Sequence, residues 1–175
     1  SGSDCEVLIH LYRRYGITRM IEMIDGVYAF ILFDTANQRL FVCRDRYGVR
    51  PMFRGENGNE IAFASEVKML HPLFNKGLRP VKPGSLLQYN FTPGVKRSWK
   101  LTDSSTHPCY YPINTVFITE SYALIAIRQA LEAAVKKRVT TTERPIACLL
   151  SGGLDSSLIC ALVSKLMTTQ LETYS

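Results

Sequence analysis

The apolar positions of the first hundred residues predict one opening helix followed by short strands. Apolar side chains recur at helical spacing at Leu8, Leu11, Tyr12 and Tyr15, behind Ser3 and Glu6 at capping-box spacing. Gly16 then marks a good helix stop. Later apolar runs at 27–33, 40–42, 60–64, 85–91 and 95–99 are separated by Gly, Pro and polar turns. This pattern predicts a mostly antiparallel sheet, with the polar stretch 35–38 turning the first strand into the second.

The pattern changes after residue 101. Residues 102–118 have no periodicity and are rich in Ser, Thr and Pro, which is typical of a linker. Thr119 can cap a helix whose apolar face carries Leu124, Ile127, Leu131 and Val135. The run 146–150 predicts a buried parallel strand against which that face packs, and a Gly-rich turn and a second helix follow. We therefore predict a β-rich domain at 1–101, a linker at 102–118 and the start of an α/β domain at 119–175.

The Gly-rich turn is the segment that indicates chemistry. It runs Ser151-Gly152-Gly153-Leu154-Asp155-Ser156-Ser157 between an apolar strand and an amphipathic helix. Glycines let a ligand approach the backbone, and the free N–H groups of a helix start attract anions. Because the Asp155 carboxylate would repel bare phosphate, it indicates a divalent cation between the two. The Lys of a Walker A loop and the G-x-G-x-x-G pattern are both missing. A Gly-Ser turn without a ligand is the alternative interpretation.

This heptad resembles the pyrophosphate loop of the ATP pyrophosphatase superfamily, whose members use ATP to adenylate a substrate oxygen and release pyrophosphate. The resemblance implies that ATP and Mg²⁺ are bound here. Leu150 matches the position whose backbone meets the nucleotide, and Asp155 matches a magnesium ligand. The positions that match the pyrophosphate site are Ser151, Gly152, Gly153, Asp155, Ser156 and Ser157.

Segments that precede the loop make the resemblance more specific, from the superfamily to one family. Residues 25–30, 44–53 and 64–68 resemble the second half of a class II glutamine amidotransferase domain, which has an N-terminal-nucleophile hydrolase fold, and Pro83-Gly84-Ser85 fits the same pattern. Each segment alone is also typical of core strands and turns. In this order ahead of the pyrophosphate loop, they resemble the asparagine synthetase family. The fold implied is an antiparallel, β-rich α+β part followed by the start of a parallel-sheet ATP pyrophosphatase domain.

The resemblance also implies a reaction, that of a carbon–nitrogen ligase. Glutamine is hydrolysed to glutamate in the first domain, and its ammonia passes to the second. There aspartate and ATP form β-aspartyl-AMP and pyrophosphate, and ammonia releases asparagine and AMP. Asp4 matches the position that binds the α-amino group of glutamine, although a plain helix-start Asp is the alternative. The family nucleophile is an N-terminal cysteine, whereas residue 1 is Ser. We therefore expect no catalytic residue in this chain, an inactive fragment, and a core thiol at Cys5.

The amino-acid composition limits the classes of partner and the cellular location that we expect. The 175 residues carry a net charge of +6, with the basic residues dispersed, which favours a solvated surface over a nucleic-acid footprint. Five cysteines form neither a metal pattern nor a disulfide framework, as in cytosolic proteins with reduced thiols. The sequence has no apolar run of membrane-helix length and no signal-peptide features. We expect a cytoplasmic protein with glutamine, aspartate and ATP as substrates and neither nucleic acid nor membrane as partner. A homodimer is compatible with the sequence.

Three alternatives stay open. A related adenylating synthetase, such as a β-lactam synthetase, keeps the loop but activates a different carboxylate. A noncatalytic nucleotide-binding module would keep the phosphate contacts without the chemistry. An RNA-modifying adenylating enzyme gains some support from the charge of +6, but it does not account for the upstream segments.

Overall fold

The computed structural model describes residues 3–58, 60–93, 98–106 and 119–175. The chain divides into two compact units, Ser1–Pro112 and Ile113–Ser175. The first unit contains α1 (Glu6–Met23), β1 (Ala29–Asp34), β2 (Arg39–Arg44), β3 (Phe53–Asn57), β4 (Glu60–Ala64), a 3₁₀ turn (Val67–Met69), β5 (Arg79–Pro80), β6 (Ser85–Thr92) and β7 (Ser98–Thr106). The second contains α2 (Glu120–Thr141), β8 (Ala147–Leu149), α3 (Leu154–Leu166) and β9 (Glu172–Tyr174).

Helix α1 consists of two helical segments. Gly16 interrupts them with φ 75° and ψ 173°, a conformation that glycine adopts at little cost, so the predicted stop is confirmed. The chain then resumes helical geometry up to Met23, which the sequence pattern did not predict. At the start of the helix, Ser3 Oγ accepts the Cys5 N–H at 3.3 Å. Cys5 is exposed, which corrects the expected core thiol: it occupies the N-cap position, ahead of the helix face that packs on the sheet.

The main sheet has the strand order β1-β2-β6-β7 and is antiparallel throughout. Its β1–β2 hairpin pairs Ala29 with Arg44 and Asp34 with Arg39, so the predicted turn at 35–38 is confirmed. Strand β2 is buried on both faces, because Phe41 and Cys43 face α1 while Val42 faces the second sheet. That second sheet has the order β4-β3-β5. The first unit is therefore a helix–sheet–sheet arrangement with one apolar core on each side of the main sheet.

Strand β7 corrects the start of the predicted linker. It runs through Thr106, so residues 102–106 belong to the sheet. The side chains there are polar and mostly exposed, but backbone pairing with β6 continues as far as Ser85 opposite Thr106. Pairing with a neighbouring strand thus outweighs the lack of apolar periodicity. The rest of the predicted linker, 107–118, lies outside the described residues, as does the beginning of the strand predicted at 95–99.

In the second unit, β8 and β9 pair in parallel, with α3 between them in the chain. Helix α2 begins behind Thr119, whose side chain accepts the Tyr122 N–H at 3.3 Å, as the capping prediction requires. The predicted buried face of α2 is wrong in part: Val135 is buried, but Leu124 and Ile127 are 61% and 64% exposed. Helix α2 packs against α3, and two three-residue strands provide little sheet surface for a longer face to cover.

Within the described ranges, no helix has the length and apolar character needed to cross a membrane.

Candidate functional site

The candidate phosphate loop, residues 150–157, joins β8 to α3. Gly152 has φ +80°, a left-handed conformation that favours glycine, and Gly153 caps α3 in an extended conformation. A Cβ added at Gly152 would meet nothing within 4 Å. The loop therefore leaves open space in front of the first turn of α3, where a ligand could approach the backbone.

Hydrogen bonds within the loop bring its serines together. Ser156 Oγ donates to the Gly153 carbonyl at 3.1 Å and lies 3.0 Å from Ser151 Oγ. The Leu150 N–H donates to the Tyr174 carbonyl at 2.7 Å, which ties the start of the loop to β9. The first α3 bond runs from the Ser157 N–H to Gly153, so the N–H groups of residues 154–156 have no intrahelical acceptor. These N–H donors can bind an anion, whereas the hydroxyl protons of Ser151 and Ser156 are used within the loop.

Asp155 lies in the first turn of α3 and is exposed. Among the described residues, no cluster of three or more His, Cys, Asp or Glu could hold a metal ion. Magnesium usually keeps several waters and binds through one or two carboxylates together with phosphate oxygens. The residues present therefore fit Mg²⁺ that is shared with a phosphate ligand, and they do not fit a site built from protein ligands alone.

The remaining predicted site residue, Asp4, lies in the turn ahead of α1 and is exposed. It belongs to the first unit, whereas the seven loop residues belong to the second.

The sequence did not predict one feature of the first unit, a turn whose backbone is held by the side chains of Arg44 and Asp45. The Arg44 guanidinium donates to the carbonyls of Arg50, Val81 and Gly48 at 2.7, 2.6 and 2.7 Å. The Asp45 carboxylate, 2% exposed, accepts the N–H groups of Tyr47, Val49 and Arg50 at 3.2, 2.9 and 3.0 Å. Burial opposes ionisation of Asp45, but these N–H bonds outweigh it and hold its pKa below the usual value. An Asp shortly before Gly48 and Pro51 was the signal for such a turn.

A second missed cluster joins the two sheets. Tyr89 OH accepts from Arg54 and donates to Glu56, both at 2.8 Å, and Glu56 also pairs with Arg54 and Arg79 at 2.8 Å. Burial raises the pKa of Tyr89 to about 12, and the hydrogen bond to Glu56 adds to the rise. Burial pushes the pKa of Glu56 upward, but the bonds from Tyr89 and Arg79 and the nearby arginine charges leave it below the usual value. The cluster is structural, because its charges are satisfied internally.

A helix on an antiparallel sheet, a second sheet behind it, and a strand–glycine loop–helix segment define an α+β protein with a candidate phosphate-binding loop. The chain belongs to the glutamine amidotransferase domain family, whose model matches residues 1–98, more than half of the chain. The model for asparagine synthase matches residues 126–175.

Curated relatives agree with these matches. The chain is 38% identical to "Asparagine synthetase [glutamine-hydrolyzing]" of Mus musculus over 97% of its own length and 33% of the relative. The protein with the same description in Gallus gallus is 39% identical, over 94% of this chain and 32% of the relative, and that of Homo sapiens is 37% identical over 97% and 33%. The chain thus spans about a third of the length of these relatives.

Among solved structures, glutamine phosphoribosylpyrophosphate amidotransferase from B. subtilis, complexed with ADP and GMP, gives a TM-score of 0.49 at 19% identity. The match covers 99% of this chain and 39% of that one. Family membership therefore rests on the sequence matches.

Proposed function

We propose that this chain is part of a glutamine-hydrolysing asparagine synthetase. The observation that carries the proposal is the order of the two family matches, a glutamine amidotransferase domain at 1–98 followed by asparagine synthase at 126–175. The domain order predicted from the sequence, with amidotransferase first, then a linker, then the start of the synthetase domain at 119–175, is the same, except that β7 extends the first part from residue 101 to Thr106. The similarity to curated asparagine synthetases over 97% of the chain supports it.

The proposed reaction joins two chemistries. Glutamine hydrolysis supplies ammonia and leaves glutamate. Aspartate is activated by ATP to β-aspartyl-AMP, with loss of pyrophosphate, because a carboxylate is a poor electrophile and AMP leaves far more readily than oxide. Ammonia then displaces AMP and forms asparagine.

In this proposal the loop at 150–157 binds the phosphates of ATP. The N–H groups of residues 154–156 point out of the start of α3, and the Ser157 hydroxyl is a further donor. The single protons of Ser151 and Ser156 are used within the loop, so these two hydroxyls must turn towards a phosphate to donate to it. Donors fixed in this way stabilise the negative charge that develops on departing pyrophosphate. The Leu150 backbone, held by β9, positions the nucleotide. Asp155 holds Mg²⁺, which when bound would neutralise phosphate charge.

Asp4 is proposed to bind the α-amino group of glutamine. Its carboxylate is exposed at the start of α1, and a carboxylate–ammonium contact is a charge-assisted hydrogen bond. We also infer a cytoplasmic location, because Cys5, Cys43, Cys148 and Cys160 are free thiols, as expected in a reducing compartment. Homodimerisation stays a prediction.

The test uses the complete protein that contains this chain. It is incubated with aspartate, Mg²⁺, ATP and glutamine labelled with ¹⁵N at the amide. We expect ¹⁵N-asparagine, with AMP and pyrophosphate in equal amounts. Formation of ADP and phosphate, or amidation of a carboxylate other than that of aspartate, would contradict the proposal.

Two variants separate the halves of the reaction. Asp4→Asn should abolish synthesis from glutamine while preserving synthesis from added ammonia. Asp155→Asn should reduce both, because it acts on adenylation. If Asp4→Asn lowers both activities equally, Asp4 has no role in glutamine binding.

A further inference from the structure

A cleft of about 390 Å³ opens between α1 and the main sheet in the first unit. Its polar lining comes from Tyr12 and Arg13 on α1 and from Asp34, Asn37, Arg39 and Gln88 on the sheet side. Neither Asp4 nor any residue of the loop at 150–157 lines it. Its volume lies in the lower part of the range for small-molecule sites.

Two guanidinium groups in this cleft make no hydrogen bond or ion pair within the described part of the chain, although the charge of one of them, Arg39, acts on the Tyr12 hydroxyl. Arg13 comes from the first helical segment of α1 and Arg39 from the start of β2, and both side chains are exposed. Other arginines of the same unit are paired, such as Arg19 with Glu22 and Arg79 with Glu56. A planar guanidinium binds a carboxylate through two parallel N–H bonds, so the cleft offers two separate places for carboxylates.

One carboxylate in the cleft is fixed in place. Asp34 accepts the Tyr12 hydroxyl at 2.6 Å and two bonds from Asn37, from its backbone N–H at 3.0 Å and from Nδ2 at 2.8 Å. The bonds from Tyr12 and Asn37 lower the pKa of Asp34 to about 2, so that it is ionised at neutral pH. The Ala36 N–H lowers this pKa further, so Asp34 offers a ligand cation its negative charge at the cleft wall and no unused acceptor position.

We propose that this cleft binds a free acidic amino acid of the aspartate–glutamate class. The two ligand carboxylates pair with Arg13 and Arg39, and the ligand ammonium lies against the negative charge of Asp34. The arrangement of two cations and one anion in the cleft is the complement of two anions and one cation in the ligand. This site is independent of the proposed synthetase reaction, since it shares no residue with Asp4 or the ATP loop.

Binding is measured by calorimetric titration of the 175-residue chain at low ionic strength with L-glutamate and L-aspartate. We expect saturable binding with a dissociation constant on the order of 1 mM. Arg13→Gln and Arg39→Gln should each weaken it about tenfold, since each removes one charged hydrogen-bonding partner. The matched control is Arg14→Gln, next to Arg13 on α1: Arg14 lies over the Tyr15 ring at 5.3 Å and does not line the cleft. That variant should bind like the parent chain. Far-ultraviolet circular dichroism verifies that all three variants are folded.

Ligand analogues test each charge. Glutarate keeps both carboxylates of glutamate but lacks the ammonium, and glutamine keeps the ammonium but has one carboxylate, so both should bind about tenfold more weakly than glutamate. Equal affinity for glutarate and glutamate would overturn the assignment to an amino acid. Absence of saturation up to about 50 mM, or unchanged affinity in folded Arg13→Gln and Arg39→Gln, would overturn the site itself.

Discussion

Tyr12 donates its hydroxyl proton to the Asp34 carboxylate at 2.6 Å, which links the middle of α1 to the end of β1. The bond from Tyr12, together with those from Asn37, lowers the pKa of Asp34 to about 2. Burial, and next the bond to Asp34, raise the pKa of Tyr12 to about 12. The Tyr12 ring also contacts Phe41 with a centroid distance of 5.5 Å. This one side chain therefore joins helix and sheet through both polar and apolar contacts.

Tyr12→Phe should lower the free energy of unfolding by about 1–2 kcal/mol at pH 7, because it removes a hydrogen bond to a charged group and keeps the ring. Urea denaturation measures the change. Tyr15→Phe on the same helix is the control, because Tyr15 is 44% exposed, and should change stability by less than about 0.5 kcal/mol. Equal effects of the two substitutions would show that the Tyr12–Asp34 bond contributes no stability.

The same bond predicts a pH dependence. The pKa of Asp34 is lower in the folded chain than its ordinary 3.8, so its stabilisation is complete above that value and is lost as pH falls towards about 2. The parent chain should therefore lose more stability than Tyr12→Phe between about pH 4 and pH 2. Equal losses of stability in the two proteins over that range would show that the Tyr12 bond is not what lowers the pKa of Asp34.

Gly48 should not tolerate a side chain. It has φ +64°, and a Cβ there would lie 2.8 Å from Pro83 Cγ and 3.0 Å from the Arg44 guanidinium carbon. Gly58 has φ +53° but nothing within 4 Å, so Gly58→Ala carries the backbone strain without the clash. Gly48→Ala should destabilise the chain by about 1–3 kcal/mol more than Gly58→Ala in thermal or urea unfolding. A difference of zero would mean that Arg44 and Pro83 move aside freely.

Tyr89→Phe should destabilise the contact between the two sheets by about 1–3 kcal/mol, because Arg54 and Glu56 each lose a partner in a largely buried place. Arg79→Ala removes a more exposed partner of the same Glu56 carboxylate, and should cost less than about 1 kcal/mol. Urea denaturation of both variants checks the order. A larger loss for Arg79→Ala would place the stabilising contact at the surface.

The sequence predicts the elements whose signals are local. The Gly16 stop, the Thr119 cap, the β1–β2 turn and the strand before Ser151 all depend on a few neighbouring residues, and the structure contains each of them. The prediction that this strand is buried is wrong, because Leu149 is 82% exposed. Strand β7 beyond Leu101 and the partners of Arg44 could not be predicted in this way. Strand β7 forms because it pairs with β6, a separate segment of the chain. The Arg44 side chain binds carbonyls as distant in sequence as that of Val81. For the candidate site, the heptad predicts the loop, whereas the bond between Ser151 and Ser156 requires the folded turn.

The two loop glycines should respond differently to substitution. Gly152→Ala places a side chain at φ +80°, which strains the turn, whereas Gly153 has φ −79° and a Cβ there would lie at an ordinary 3.6 Å from Ser151 Oγ. Pyrophosphate affinity in the presence of Mg²⁺ should therefore fall about tenfold or more in Gly152→Ala and by less in Gly153→Ala. The reverse order would exclude loop conformation as the determinant of binding.

The proposed ATP loop is tested most directly by titrating pyrophosphate into the folded chain and into Asp155→Asn, each with and without Mg²⁺. The parent chain should bind pyrophosphate with a dissociation constant on the order of 1 mM, and Mg²⁺ should strengthen that binding. In Asp155→Asn the gain from Mg²⁺ should largely disappear, while metal-free binding persists, because the N–H donors of α3 remain and only the carboxylate is lost. An identical gain from Mg²⁺ in both proteins would remove Asp155 from the metal site, and absence of pyrophosphate binding in the folded parent chain would contradict a phosphate-binding loop.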